Sequence, residues 1–150
     1  MILAITGVVN AADGVRPEEL KSGYHFSRSD TQAIQDDKFS NPGMIYVDRG
    51  SRLWRAIEGR HAKSCADCHG DAAQSMMGVG STYPKVNLES DQLINLGQQI
   101  QLCRIKNMDA APFKAHDHEH ESEDLLALQA YVMFQSHGMP LSVSVVDLAE

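Results

Sequence analysis

The stretch KSCADCHG, Lys63–Gly70, sets two cysteines three residues apart and puts a histidine directly after the second. Three chemistries use such a run. A redox-active disulfide between Cys65 and Cys68 belongs after a strand in a βαβ unit, and no such alternation surrounds it here. A structural zinc site calls for a second cysteine or histidine pair at similar short spacing, whereas Cys103 stands alone downstream. Covalent haem attachment needs nothing further, because Cys-x-x-Cys-His is its signature. On one helical turn the two sulfurs face the same way and can form thioethers with the two vinyl groups of a single porphyrin. His69 then lies under the iron as the proximal ligand.

Composition agrees with a small cofactor-stapled domain. A chain of 150 residues holds one domain with a core, not two. Aromatics make up only 6%, and so thin a core gains from a disulfide, metal or cofactor. The cysteine count of three is odd, which argues against a disulfide framework. A net charge of −7 argues against nucleic acid and anionic membrane surfaces as partners. No run is long enough to span a bilayer. The opening MILAITGVVNAADG reads as a partial signal-peptide remnant over 1–11, with small residues Val9 and Ala11 before Ala12 but without the usual positive start. It implies export, and a periplasmic location.

Residues 12–43 read as an irregular N-terminal arm that closes on the turn SNPG, Ser40–Gly43. A first helix follows, with Val47, Leu53, Trp54 and Ile57 on one side and Gly59 placed to end it. The pattern predicts a second helix over Ser90–Lys106, where Leu93, Leu96, Ile100 and Cys103 form one stripe and turn the Cys103 sulfur inward. A third covers Ser122–Ser136, with Ser122 as N-cap, Leu125, Leu128 and Val132 inward, and Gly138 and Pro140 closing it. No strand is expected before LSVSVV, and the Gly-, Ser- and Met-rich segment after the motif reads as loop. Such long loops need an organiser, which a large apolar cofactor supplies. The expected fold class is therefore all-α, a c-type cytochrome fold over 44–143 with three main helices around one covalent haem. AHDHEHESED, Ala115–Asp124, reads as a solvated loop rather than a metal site. Phe134 falls off the last helix's stripe and is a candidate subunit contact.

The sixth iron position has several candidates: Met76, Met77, Met108, Met133, Met139, His137 and Cys103. Methionine is the commonest distal ligand on general grounds, although each single Met is more often core filler. Cys103 has the inward stripe in its favour, and Arg104 beside it would stabilise a thiolate. A backbone carbonyl near Tyr83–Pro84 is a candidate acceptor for the far ring nitrogen of His69.

From Gly23 onward the chain resembles the N-terminal half of SoxA, the cytochrome subunit of the bacterial thiosulfate-oxidising Sox system. The likeness runs in order through KSGYHFSRSDTQAIQDDKFSNPGMIYVDRGSRLW, KSCADCHGDAAQSMMGV, YPKVNLES, LINLGQQIQLCR and LLALQAYVMFQSHGMP. It implies His and Cys axial ligands, which assigns Cys103, in LCR, as the distal ligand. It implies haem c as cofactor and a SoxX-like cytochrome c subunit as partner. A SoxYZ-like thiosulfate-carrier protein and a cytochrome electron acceptor would complete the L-cysteine S-thiosulfotransferase system. In that family the active-site haem and cysteine lie in a second domain, so no catalytic residue is expected within this chain. Residues 144–150 would be the tail leading to that domain. The alternative is a stand-alone periplasmic electron-transfer cytochrome c with His/Met ligation.

Overall fold

A computed structural model describes residues 21–114 and 122–143. The expected signal remnant, the start of the arm, the tail from 144 and most of the histidine-rich run lie outside the described residues. Two helices make the frame. The helix α2, Met44–Arg55, crosses α6, Glu123–Phe134, and this is the most extensive helix pairing in the fold. The crossing is close because Gly50 meets Ala127: a Cβ on Gly50 would collide with the Ala127 carbonyl oxygen and with Tyr131 Cβ. Arg49 ties the same pair, reaching Glu123 at 2.5 Å and Asp124 at 2.7 Å in the first turn of α6. Those carboxylates sit at the positive end of the α6 dipole. The core beneath comprises Trp54, Ala72, Leu96, Leu128, Tyr131 and Val132. The first and third of the helices expected from the sequence are thus present, and the inward stripe of α6 is as read. Ser122 stands at the N-cap of α6, but its side chain makes no cap bond.

Other expectations shift. The arm is not irregular throughout, since Ser29–Asp36 forms helix α1 after a 3₁₀ turn at Gly23–Phe26. The first framework helix stops at Arg55, because Ala56 turns extended, and this leaves Ile57 70% exposed. Gly59 therefore ends no helix. It sits at φ +69° in a hairpin bridged Glu58–Lys63, pressed against the Met108 carbonyl where a Cβ would not fit. The motif forms the short helix α3, Cys65–His69, followed by α4, Ala72–Ser75, and a 3₁₀ turn at Val79–Thr82.

Strands β1, Lys85–Asn87, and β2, Gln92–Ile94, pair antiparallel where loop and helix were expected. Helix α5 consequently begins at Leu96 and runs to Cys103, while Leu93 lies in β2, half exposed. A capping box between Asn95 and Gln98 fixes that start, each side chain bonding the other's backbone N–H at 2.8 Å. Beyond Cys103 the helix widens into a π turn, Arg104–Met108, closed by Asp109 in the left-handed region. Phe134 is no free surface residue. It packs toward the arm, with Lys38 Nζ 5.4 Å from its ring centroid.

Candidate haem site

The motif helix is short but well anchored. Ser64 caps it: its hydroxyl accepts from the Asp67 N–H, while Asp67 accepts from the Ser64 N–H at 2.7 Å. The Ser64 backbone N–H and its hydroxyl, which both donate to the Asp67 carboxylate, hold that carboxyl below its ordinary value of 3.8. At the other end the Trp54 indole N–H donates to the Gly70 carbonyl at 3.0 Å, and the His69 ring lies 5.7 Å from Trp54. The core tryptophan thus holds the residue following the histidine. Among the described residues the His69 ring makes no hydrogen bond to Tyr83 or Pro84, so the acceptor expected there is not found. The tilted Trp54 ring is its neighbour instead.

No disulfide joins Cys65, Cys68 and Cys103. Cys68 and His69 are exposed, and Cys65 is half buried against the core. Burial pushes the Cys65 thiol up to about 11, the Cys103 sulfur adds to this, and the Arg104 charge opposes it. Two conclusions follow. Cys65 and Cys103 lie within electrostatic reach of one another, although 38 positions separate them in the chain. A redox-active Cys-x-x-Cys pair works through a lowered thiol pKa, and Cys65 is shifted the opposite way.

The hairpin ahead of the motif brings these segments together. Running Glu58–Lys63, it straps onto the π turn behind Cys103. The Arg60 and His61 N–H groups donate to the carbonyls of Asp109 and Met108, both at 3.2 Å. His61 Nδ1 lies 3.1 Å from the Asn107 carbonyl, which can only accept, so that nitrogen carries the proton. Arg60 pairs with Asp109, and Arg104 with Glu58 at 2.6 Å. Arg104 is 5% exposed and lies flat on the Phe113 ring at 3.5 Å, with its Nε buried and unpartnered. The Arg104 charge expected to serve Cys103 is thus committed first to Glu58.

Cys103 is half buried rather than interior. It opens on a cavity of about 570 Å³ between the β1–β2 turn and α5, walled in part by Val86, Leu88, Leu102 and Asn107. Leu88 there is 92% exposed, an apolar side chain with nothing over it. Cys65, Cys68 and His69 are not among the walls of that cavity. Among the described residues no three Cys, His, Asp or Glu side chains converge on a metal site, so Cys65 and Cys103 have no further protein ligand of the kind zinc would need. A porphyrin iron asks the protein for only two ligands. The donor set present, two cysteines and a histidine on the motif helix with Cys103 within electrostatic reach of Cys65, fits such a group.

Of the methionines considered for the distal position, Met108 is buried under Gly59 and Met76 packs against the core. Met77, Met133 and Met139 are exposed, as is His137. Sequence reasoning missed Glu58, His61, Phe113 and Asn107. Only Asn107 carried a local signal, lying four residues after Cys103 on one helical face. Among the described residues no helix is long and apolar enough to cross a membrane.

Comparison with known proteins adds the lineage. A family model described as SoxA/TsdA, cytochrome c domain, matches residues 49–141. The SoxA subunit of L-cysteine S-thiosulfotransferase from Pseudaminobacter salicylatoxidans is 40% identical over 137 residues, 91% of this chain and 46% of that protein. The subunit of the same name from Rhodovulum sulfidophilum is 35% identical over 130 residues, 87% of this chain and 44% of that one. The crystal structure of SoxXA from P. pantotrophus superposes with a TM-score of 0.71 at 29% identity, covering 83% of this chain and 45% of that one. The chain thus spans about half the length of the relatives it matches.

Proposed function

Because this chain belongs to the SoxA/TsdA cytochrome c domain family, whose cofactor is haem c, we propose that it is the haem-bearing portion of a SoxA-type subunit of an L-cysteine S-thiosulfotransferase. In this reading one haem is held by thioethers to Cys65 and Cys68, with His69 as proximal and Cys103 as distal ligand. When bound, haem c supplies one-electron Fe(III)/Fe(II) chemistry. The chain's own residues do the holding. Ser64 and Asp67 fix the motif helix, Trp54 pins the backbone after His69, and the hairpin strap ties the segment ahead of the motif to the turn after Cys103. The single observation that carries the reading is that strap, which joins two cysteine segments far apart in sequence by bonds made of protein atoms alone.

In this reading residues 44–143 form the cytochrome domain, and the curated relatives are about twice as long as this chain. The thiosulfate-coupling step, the SoxX-like partner subunit, a SoxYZ-like carrier, a cytochrome acceptor and a periplasmic location belong to that whole assembly. With His69 and Cys103 both committed to the iron, residues 65–103 would serve electron storage or transfer rather than substrate binding.

A second reading, a free cytochrome with His/Met ligation, draws on Met76, which packs in the same cluster as Cys65. One experiment separates the two. The chain is matured in a haem-attaching host, haem is measured as the pyridine haemochrome, and low-temperature EPR is recorded. A compressed low-spin g-spread that vanishes in Cys103→Ser is the expected result. A spectrum unchanged by that substitution would favour methionine.

A further inference from the structure

The described residues contain one hydrogen bond to the Cys103 sulfur, and its donor is Asn107. The side-chain amide nitrogen of Asn107 lies 3.4 Å from Cys103 Sγ, within range for an N–H···S bond. We infer that Asn107 is a positioning residue for the distal thiolate, whose amide N–H sets the electron density that sulfur offers the iron. The inference rests on Cys103 being the distal ligand and goes beyond it to what tunes that ligand.

Three features carry it. The first is chemistry: a thiolate has lone pairs and no proton, so only the donor end of the amide can face it. The second is the backbone. The π turn Arg104–Met108 follows Cys103 directly, and turns of this kind inside helices recur at functional sites. The third is restraint. The Asn107 carbonyl is held by His61 Nδ1, and the flanking Met108 and Asp109 carbonyls accept from His61 and Arg60. The segment that aims the amide is therefore fixed from the motif side of the molecule. Arg104 makes no hydrogen bond to that sulfur among the described residues, and its Nη2 donates to Glu58 and the Ala111 carbonyl instead.

A hydrogen bond donated to a ligating sulfur withdraws charge from it and favours Fe(II), so its loss lowers the reduction potential. Asn107 is exposed, so its replacement leaves the core intact. The test uses the haem-loaded chain and two variants, Asn107→Leu, which has no donor, and Asn107→Asp, which keeps the shape but presents only acceptors when ionised. Redox titration and low-temperature EPR are the readouts. Both variants should keep full haem content and a low-spin thiolate signal, with a midpoint potential below wild type and altered g-values, further for Asp than for Leu. Should the leucine variant fail to retain haem, Asn107→Ala, which also removes the donor without adding charge, reads the same quantity. Unchanged potential and g-values in a haem-loaded variant would overturn the role of Asn107 while leaving ligation by Cys103 standing. A thiolate signature that survives Cys103→Ser would instead remove the ligation reading, and this inference with it.

Discussion

Ser64 and Asp67 carry more of the motif than their ordinary chemistry suggests. A five-residue helix cannot hold itself together, so its cap supplies what its length does not. Replacing Ser64 by Ala should cost about 0.5–2 kcal/mol, read as a lower thermal midpoint. The Asp67 carboxyl is depressed in the folded state by its two bonds from Ser64. The stability this contributes is complete above the ordinary carboxylate value of 3.8 and is lost as pH falls through the folded-state value beneath it. Asp67→Asn should therefore lower the thermal midpoint near neutrality, where that contribution is complete, and converge on the parent at low pH, so that the acid limb flattens. At this scale the sequence was most informative. Cys65, Cys68 and His69 announce themselves by type and spacing and Cys103 only through the family resemblance, whereas Glu58 is one acidic residue among many until the fold sets it against Arg104.

Helices were legible where apolar stripes were long, as in α6. They were misread where short-range polar chemistry overrode the stripe. Leu93 continues the period of Leu96 and Ile100, yet the Asn95–Gln98 capping box starts the helix after it. Ile57 continues the period of Leu53 and Trp54, yet the chain has already turned extended at Ala56 so that Glu58 can reach Arg104. The strap had no local signal at all, because its bonds span some 46 positions. Two predictions belong here. Glu58→Gln leaves the buried Arg104 guanidinium without its countercharge and should cost on the order of 3 kcal/mol in chemical denaturation. Gly50→Ala drives a methyl into the backbone of α6 and should cost about 1–3 kcal/mol or more, because backbone cannot yield as a side-chain tip can. A variant as stable as the parent would mean that the α2–α6 crossing can open.

For the molecule as a whole, the covalent attachment proposed at Cys65 and Cys68 separates this chain from metal-stapled domains of similar size. Incubation with excess EDTA should leave the colour and thermal midpoint of the matured protein unchanged, whereas a zinc-held module would unfold. Loss of structure under the chelator would count against the cytochrome reading. The helical class was readable from the apolar period, and the small β1–β2 hairpin was not, since three-residue strands leave no alternation long enough to detect.

The strap also bears on speed. An electron-transfer centre loses rate when its surroundings must shift each time a charge comes or goes. Fastened through Glu58, Arg60 and His61 to both flanks of the π turn, the walls on either side of the two cysteines have little room to recoil. On the reading given above, the iron would change its oxidation state inside a frame that is already braced for both.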